Sequence, residues 1–218
     1  MKIGLIITAA GRSERFGSQN KLFIPINNKP LIKTCCERFS EIKDISETII
    51  TSLDKDQAKL KKALSDLPSA PRIVVGGETR KDSVLNAFKA LSAVDLVMIH
   101  DGARPNVSEE LIKRIIKASE KHQAVIPVIP ITDTIKQVEN NIIKKTLARE
   151  HIFKVQTPQI FHYDILKAAY EKYSDIAATD EASLVEKLNV PIYAIKGEAK
   201  NLKITTPEDV EVLKALIS

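Results

Sequence analysis

The chain has 218 residues, 44% hydrophobic and 28% charged, with a net charge of +5. That length suffices for one well-buried domain, and no run approaches the roughly 18 consecutive apolar residues of a membrane span. The basic excess is mild and spread out, so it suits anionic small molecules as well as nucleic acid. With four Tyr, six Phe and no Trp there is little aromatic surface on which single strands could stack. Residues 54–67 interleave Lys55, Lys59, Lys61 and Lys62 with Asp54, Asp56 and Asp66, a solvated face rather than a phosphate-tracking stripe. Neither nucleic acid nor membrane is expected as a partner. The two cysteines, Cys35 and Cys36, are adjacent, lack zinc spacing and read as free thiols of a reducing compartment. No signal peptide is evident, so the expected location is the cytoplasm, or the plastid stroma if a transit peptide has been removed.

Apolar runs alternate with helical periods. "IGLIITA" (3–9) reads as a buried strand, "PLIKTCCERFSEI" (30–42) as an amphipathic helix and "ETIITSL" (47–53) as a strand. A charged helix over 54–67, a strand over 72–77, a helix over 80–91 and a strand over 95–100 follow. Next come a helix over 108–122 with Ser108 as N-cap and a strand over 124–129. Continuous Ile/Val runs suit a sheet buried on both faces, and βα alternation argues for a doubly wound, mostly parallel sheet. The pattern breaks at 131–160, where short alternating pieces flank a turn at "ENN". Helices at 163–173 and 180–188, a strand at 190–197 and a helix at 206–217, with Thr206 as N-cap and Pro207 at its first position, complete the chain. One domain over 1–218 with a protruding β-arm at about 131–155 is the expected organisation.

Ligands of open α/β sheets bind beyond the carboxyl ends of the strands, where the unusual segments of this chain lie. "AAGRSERFG" follows the first strand without the G-x-G-x-x-G spacing of a dinucleotide site. Small Ala9, Ala10 and Gly11 let backbone N–H groups approach a polyphosphate, with Arg15 and Lys21 supplying charge. Taken alone, Gly11 could merely end a strand and Arg15 could be a solvated charge. "HDGARP" puts Asp101, suited to sugar hydroxyls or to Mg2+ riding on phosphates, near Arg104, suited to an anion. His100, closing a hydrophobic strand, reads as a packing residue rather than a general base. In "GGETRKDS" the backbone at Gly76, Gly77 and Glu78, with the Ser83 hydroxyl, could read a base edge, or could be a plain helix entry. "TDEASLVE" has Thr179 as a fair N-cap and acids that complement a helix dipole, and "NLKIT" places Lys203 after the last strand.

In this order, "AAGRSERFG…NK", "GGETRKDSV", "HDGARP", "DTIK", "QTPQIF", "TDEASLVE" and "NLKITTPED" resemble the 2-C-methyl-D-erythritol 4-phosphate cytidylyltransferases of the non-mevalonate isoprenoid pathway. The likeness runs over about residues 3–212. It implies a Rossmann-like nucleotidyltransferase fold, a homodimer embracing through the β-arm, and Mg2+-dependent transfer of CMP from CTP to a sugar-alcohol phosphate. By motif position it implies that Arg15, Lys21 and Lys203 act at the triphosphate as the α-phosphorus is attacked. Ala9, Ala10 and Gly11 would follow the phosphates, and Gly77, Glu78 and Ser83 would read cytosine. Asp101, Ala103, Arg104 and Thr179 would line the ribose and methylerythritol side, with Asp101 a possible Mg2+ contact. Arg149 and Thr157, on the arm, would reach the neighbouring subunit's substrate phosphate. Ser13 departs from the family's second loop glycine, and Glu78 stands where many relatives carry Asp. The alternatives are a ribitol 5-phosphate cytidylyltransferase of teichoic acid synthesis, matched less well by "TRKDSV" and "HDGARP", and a CTP-binding protein without catalysis.

Overall fold

The computed structural model describes every residue except 12, 14, 15, 18, 19 and 218. In chain order it runs β1 (Ile3–Ala9), a short hairpin of β2 (Pro25–Ile26) and β3 (Lys29–Pro30), α1 (Leu31–Glu37), β4 (Ile45–Ser52), α2 (Gln57–Ala63), β5 (Arg72–Val75) and α3 (Arg80–Lys89). There follow β6 (Leu96–Asp101), α4 (Glu109–Ser119), β7 (Ala124–Pro130), β8 (Ile135–Glu139), β9 (Ile142–Leu147), β10 (Phe153–Val155) and β11 (Gln159–His162). The chain ends with α5 (Tyr163–Tyr173), α6 (Ala182–Glu186), β12 (Tyr193–Lys196) and α7 (Pro207–Ile217).

The main sheet is ordered β5-β4-β1-β6-β11-β7, with β12 and β10 also paired to β7. β1 is parallel to both β4 and β6, β4 to β5, and β12 to β7. β10 and β11 run antiparallel to their neighbours. The register sets Thr8 of β1 opposite Asp101 of β6, and Ala9 opposite Ser52 of β4, so these strands end at one level. That level edge is the platform for the site.

Both faces of the sheet are covered, which is why its strands read as unbroken apolar runs. Ile3, Leu5 and Ile7 of β1 pack into a core with α1, α2, α4 and α7. Ile6, between them, points to the opposite core with α3, α5 and α6, where Phe161 and Tyr170 lie. β11 is the strand that periodicity alone could not place, because its four residues are wedged antiparallel between β6 and β7.

Several helices are shorter than the patterning predicts. The segment expected as helix over 30–42 is α-helical only to Glu37, then winds on through tighter bonds, Phe39 N–H to Cys36 O and Ile42 N–H to Phe39 O. The 54–67 helix divides into a 3-10 turn at Asp54–Asp56 and α2. α6 starts at Ala182, and its early N–H of Ser183 is capped by the Asp180 carboxylate at 3.1 Å, so Thr179 is not its N-cap. Ser108 does cap α4, accepting from Leu111 N–H at 3.0 Å. α7 begins at Pro207, as read, but the cap bonds come from Asp209, whose carboxylate accepts from the N–H groups of Thr205 and Thr206.

β8 and β9 form a separate two-stranded sheet, turned at Asn140 and Asn141 with φ of 50° and 61°. Asparagine tolerates that left-handed pair of conformations, which is the twist a two-residue hairpin requires. Val138, Ile142 and Ile143 near its tip are exposed.

Candidate active site

A cavity of about 430 Å³ opens at the carboxyl edge of β1, β4, β5 and β6. Ala9, Ala10, Gly11, Lys21, Gly77, Glu78, Ser83, Asp101, Ala103 and Lys203 all line it. The fold thus brings together residues from loops that are distant along the chain. Arg15, expected to clamp phosphates, lies outside the described residues.

The first loop leaves β1 with Ala9 N–H bonded to Thr51 Oγ1 at 3.1 Å. Ser13, also in the lining, sits at φ 54°, a left-handed conformation that glycine adopts without strain and serine does not. Its hydroxyl reaches Asn20 Oδ1 at 3.3 Å. Asn20 in turn accepts from Leu22 N–H at 3.1 Å and donates to Asp56 at 2.9 Å, which fixes the 3-10 turn that carries Lys21. Asn20 was not singled out from the sequence.

The second loop is closed by its own helix. Thr79 and Asp82 form a capping box at the start of α3. Ser83 Oγ accepts Gly77 N–H at 3.0 Å and donates to Thr79 O at 2.9 Å, so the hydroxyl expected to read a base first of all shapes the turn. A Cβ on Gly77 would lie 2.3 Å from Asp82 Cβ, so no side chain fits there.

At the end of β6 the Asp101 carboxylate gathers three cations: Lys203 Nζ at 2.9 Å, Arg80 Nε at 3.4 Å and Arg104 Nε at 3.5 Å. Burial works against its charge, but Lys203, followed by Arg80 and Arg104, more than offsets that and holds the carboxyl well below its usual range. Arg104 borders the cluster with Nη1 on Asn201 O at 2.8 Å. Arg80, an ordinary helix residue by sequence, lines the cavity, and its Nη1 meets buried Glu181 at 2.7 Å. Glu181 carries no sequence signal beyond that of an acid complementing a helix dipole.

Lys203 is brought to Asp101 by a loop sewn to the segment between β10 and β11. Gln156 accepts from Glu198 N–H at 3.0 Å and donates to Glu198 O at 2.8 Å, while Asn201 Nδ2 donates to Thr157 O at 2.8 Å. Ile204 N–H donates to Ala103 O at 2.8 Å.

Thr157 is a correction. Expected on the arm with Arg149, it lies off the hairpin, buried, with Oγ1 accepting Asp101 N–H at 3.0 Å and contacting His100 Nδ1 at 3.1 Å. His100 Nε2 faces Arg104 O at 3.0 Å, and a carbonyl only accepts, so Nε2 carries the proton and Nδ1 receives one from Thr157. Burial lowers the imidazole to about 4 and keeps it neutral, so His100 is the packing residue its strand suggested. Arg149 and Thr179 are exposed and do not line this chain's cavity; Arg149 Nη1 instead donates to Thr132 O at the base of the arm.

Among the described residues no three His, Cys, Asp or Glu side chains converge as a metal site. Asp101 is ringed by cations, so its carboxylate does not fit a protein-held Mg2+.

A cleft at the carboxyl edge of a parallel sheet, rich in cations and with its one histidine closed off, is that of a Rossmann-like nucleotidyltransferase. The family model described as 2-C-methyl-D-erythritol 4-phosphate cytidylyltransferase matches residues 3–218, and the chain belongs to that family. It is 40% identical over 225 residues to a protein of that name from Dictyoglomus thermophilum, covering 100% of this chain and 97% of the relative. A relative of the same name from Dehalococcoides mccartyi is 36% identical, with 99% and 96% covered. The crystal structure of 4-diphosphocytidyl-2C-methyl-D-erythritol synthase from Anaerococcus prevotii superposes with a TM-score of 0.88 at 32% identity, covering 99% of this chain and 98% of that one. These likenesses do not favour the ribitol 5-phosphate alternative.

Two outcomes follow from this geometry. Ser13→Gly should preserve CTP binding, whereas Ser13→Val, forcing a β-branched residue into the left-handed region, should weaken it about tenfold by titration calorimetry. For His100, the unfolded state takes a proton below about pH 6.5 that the native state refuses until about 4. Stability from this group is therefore complete above 6.5 and lost as pH falls to 4, by up to about 3 kcal/mol. Urea unfolding of wild type and His100→Asn at pH 7 and 4.5 should show that slope only in wild type.

Proposed function

We propose that the cleft binds CTP and that the chain transfers CMP from it to 2-C-methyl-D-erythritol 4-phosphate, giving 4-diphosphocytidyl-2-C-methyl-D-erythritol and pyrophosphate. An oxygen of the acceptor's phosphate forms a bond to the α-phosphorus as the bridging bond to the β-phosphate breaks, and pyrophosphate leaves with that electron pair. The nucleophile is already anionic, so no base has to take a proton from it, and catalysis reduces to alignment and charge neutralisation. The observation that carries this reading is the gathering of Lys203, Arg80 and Arg104 on Asp101 beside the loop of Ala9, Ala10 and Gly11.

In this reading Arg15 and Lys21 hold the triphosphate and Lys203 meets the charge that develops at the α-phosphate. The turn from Gly77 through Ser83 accommodates cytosine, and Asp101 and Ala103 hold the ribose. Arg104 and Thr179 face the acceptor. Mg2+ enters as part of the substrate, bound to the phosphate oxygens of CTP. The arm is read as a dimer contact that carries Arg149 to the partner's acceptor phosphate, and its exposed Val138, Ile142 and Ile143 supply apolar surface for that contact. Thr157, engaged beneath Asp101 of its own chain, supports the site rather than the crossing. No helix among the described residues is long and apolar enough to cross a membrane, and the reaction is assigned to the cytoplasm.

Pyrophosphate release from CTP and Mg2+, with methylerythritol 4-phosphate and D-ribitol 5-phosphate in parallel, should occur only with the first. Release only with the second would move the chain to the sister activity. Arg149→Ala should raise the acceptor KM about tenfold and leave CTP affinity unchanged; equal loss of both would sink the assignment of the arm.

A further inference from the structure

Glu181 is fully buried, and its nearest cation is Arg80, with Nη1 at 2.7 Å from Oε2. The Tyr170 hydroxyl donates to its other oxygen at 3.4 Å. Helix capping does not account for this carboxylate, because the cap of α6 comes from Asp180 and Glu181 makes no side-chain cap bond. Burial pushes its carboxyl up and Arg80 pulls it back only in part, so the fold holds a costly acid at this position.

Arg80 is the first residue of α3, where the Thr79–Asp82 box fixes its backbone at the cavity wall. With Nη1 taken by Glu181, the guanidinium offers Asp101 only its Nε, and at a long 3.4 Å. The side chains thus alternate in charge from core to cavity: Glu181, Arg80, Asp101, Lys203. Arginine pairs best with a carboxylate through two parallel bonds, and without Glu181 its fork can turn fully onto Asp101. That closure would take from Lys203 the carboxylate that holds it at 2.9 Å.

We infer that Glu181 is a positioning residue that acts through Arg80: it keeps Arg80 from closing on Asp101, and so leaves Asp101 to hold Lys203 in the cleft. The inference rests on the proposed role of Lys203 in CMP transfer. Glu181→Gln keeps the side chain's size. The neighbouring segment has its own strap, since Lys81 Nζ donates to the carbonyls of Ser174 and Ile176, so it does not hang on Glu181 alone.

The test is a double-substitution cycle on pyrophosphate release with Mg·CTP and methylerythritol 4-phosphate, beside CTP affinity measured by calorimetry. Glu181→Gln should lower kcat by about tenfold or more through misplacement of Lys203, with CTP affinity within about twofold of wild type. Arg80→Met leaves no guanidinium to close on Asp101, so Lys203 should stay in place and kcat should fall by less than in Glu181→Gln. The double variant should return to the level of Arg80→Met, because a group that acts only through Arg80 has nothing left to act on. A double variant as slow as Glu181→Gln or slower, or wild-type kcat in Glu181→Gln, would overturn the inference. If Glu181→Gln did not fold, a loss of about tenfold or more in Arg80→Met would overturn it alone, since removing the group that is held back should not misplace Lys203. Wild-type turnover is read first: its absence defeats the proposed function and this inference with it, whereas its presence confines any failure to Glu181.

Discussion

The site depends on one buried carboxylate. Asp101, at the last position of β6, holds Lys203, Arg80 and Arg104 within 3.5 Å. Without an anion among them those cations would repel one another and turn toward solvent, and no phosphate would find them converged. With it they are aligned before substrate arrives, and little reorganisation is left for the moment of reaction. The energetic cost is borne by the fold, which must keep a charged group out of water.

It does so through contacts that join distant parts of the chain. Thr157 Oγ1 accepts from Asp101 N–H and donates to His100 Nδ1, His100 Nε2–H donates to Arg104 O, and Arg104 Nη1 donates to Asn201 O. Asn201 closes the circuit by donating to Thr157 O. Each member bonds its neighbour in a ring that ties three segments together, although Arg104 Nε and Asn201 Oδ1 are buried without a hydrogen bond of their own. β6, the bridge between β10 and β11 and the loop before α7 therefore meet in one fixed geometry, and the position of Lys203 is a property of all three.

This explains what could and could not be read from the sequence. The sheet was legible because both its faces are covered, so Ile3, Leu5, Ile6 and Ile7 form one run whatever face each takes. The loops of the cleft were legible because the ends of parallel strands fall on one edge. Pairings across the chain were not. Arg80 and Glu181 are 101 residues apart and each has an ordinary local reading, as a helix residue and as an acid near a helix start. Motif order puts Thr157 on the arm, but the hairpin closes at Leu147 and Thr157, between β10 and β11, turns its hydroxyl inward onto Asp101 N–H. Ser13 looked like a departure in the loop, and its φ of 54° shows the backbone keeping a glycine-like conformation at the cost of strain.

The same network bears on what the cleft can accept. The anion among the cations is Asp101 itself, so a phosphate binding there would exchange for a carboxylate already in place rather than meet wholly unpaired charge. A single weak anion gains little by such an exchange. In the proposed complex a triphosphate would gain more, because it would also meet Lys21 and the backbone of the first loop, and several contacts from one ligand add without a second loss of translational freedom. On the proposed reading, selectivity for a polyanion follows from holding the cations on an internal counter-ion, and with the neutral histidine closed off beneath them that reading asks only for charge and position.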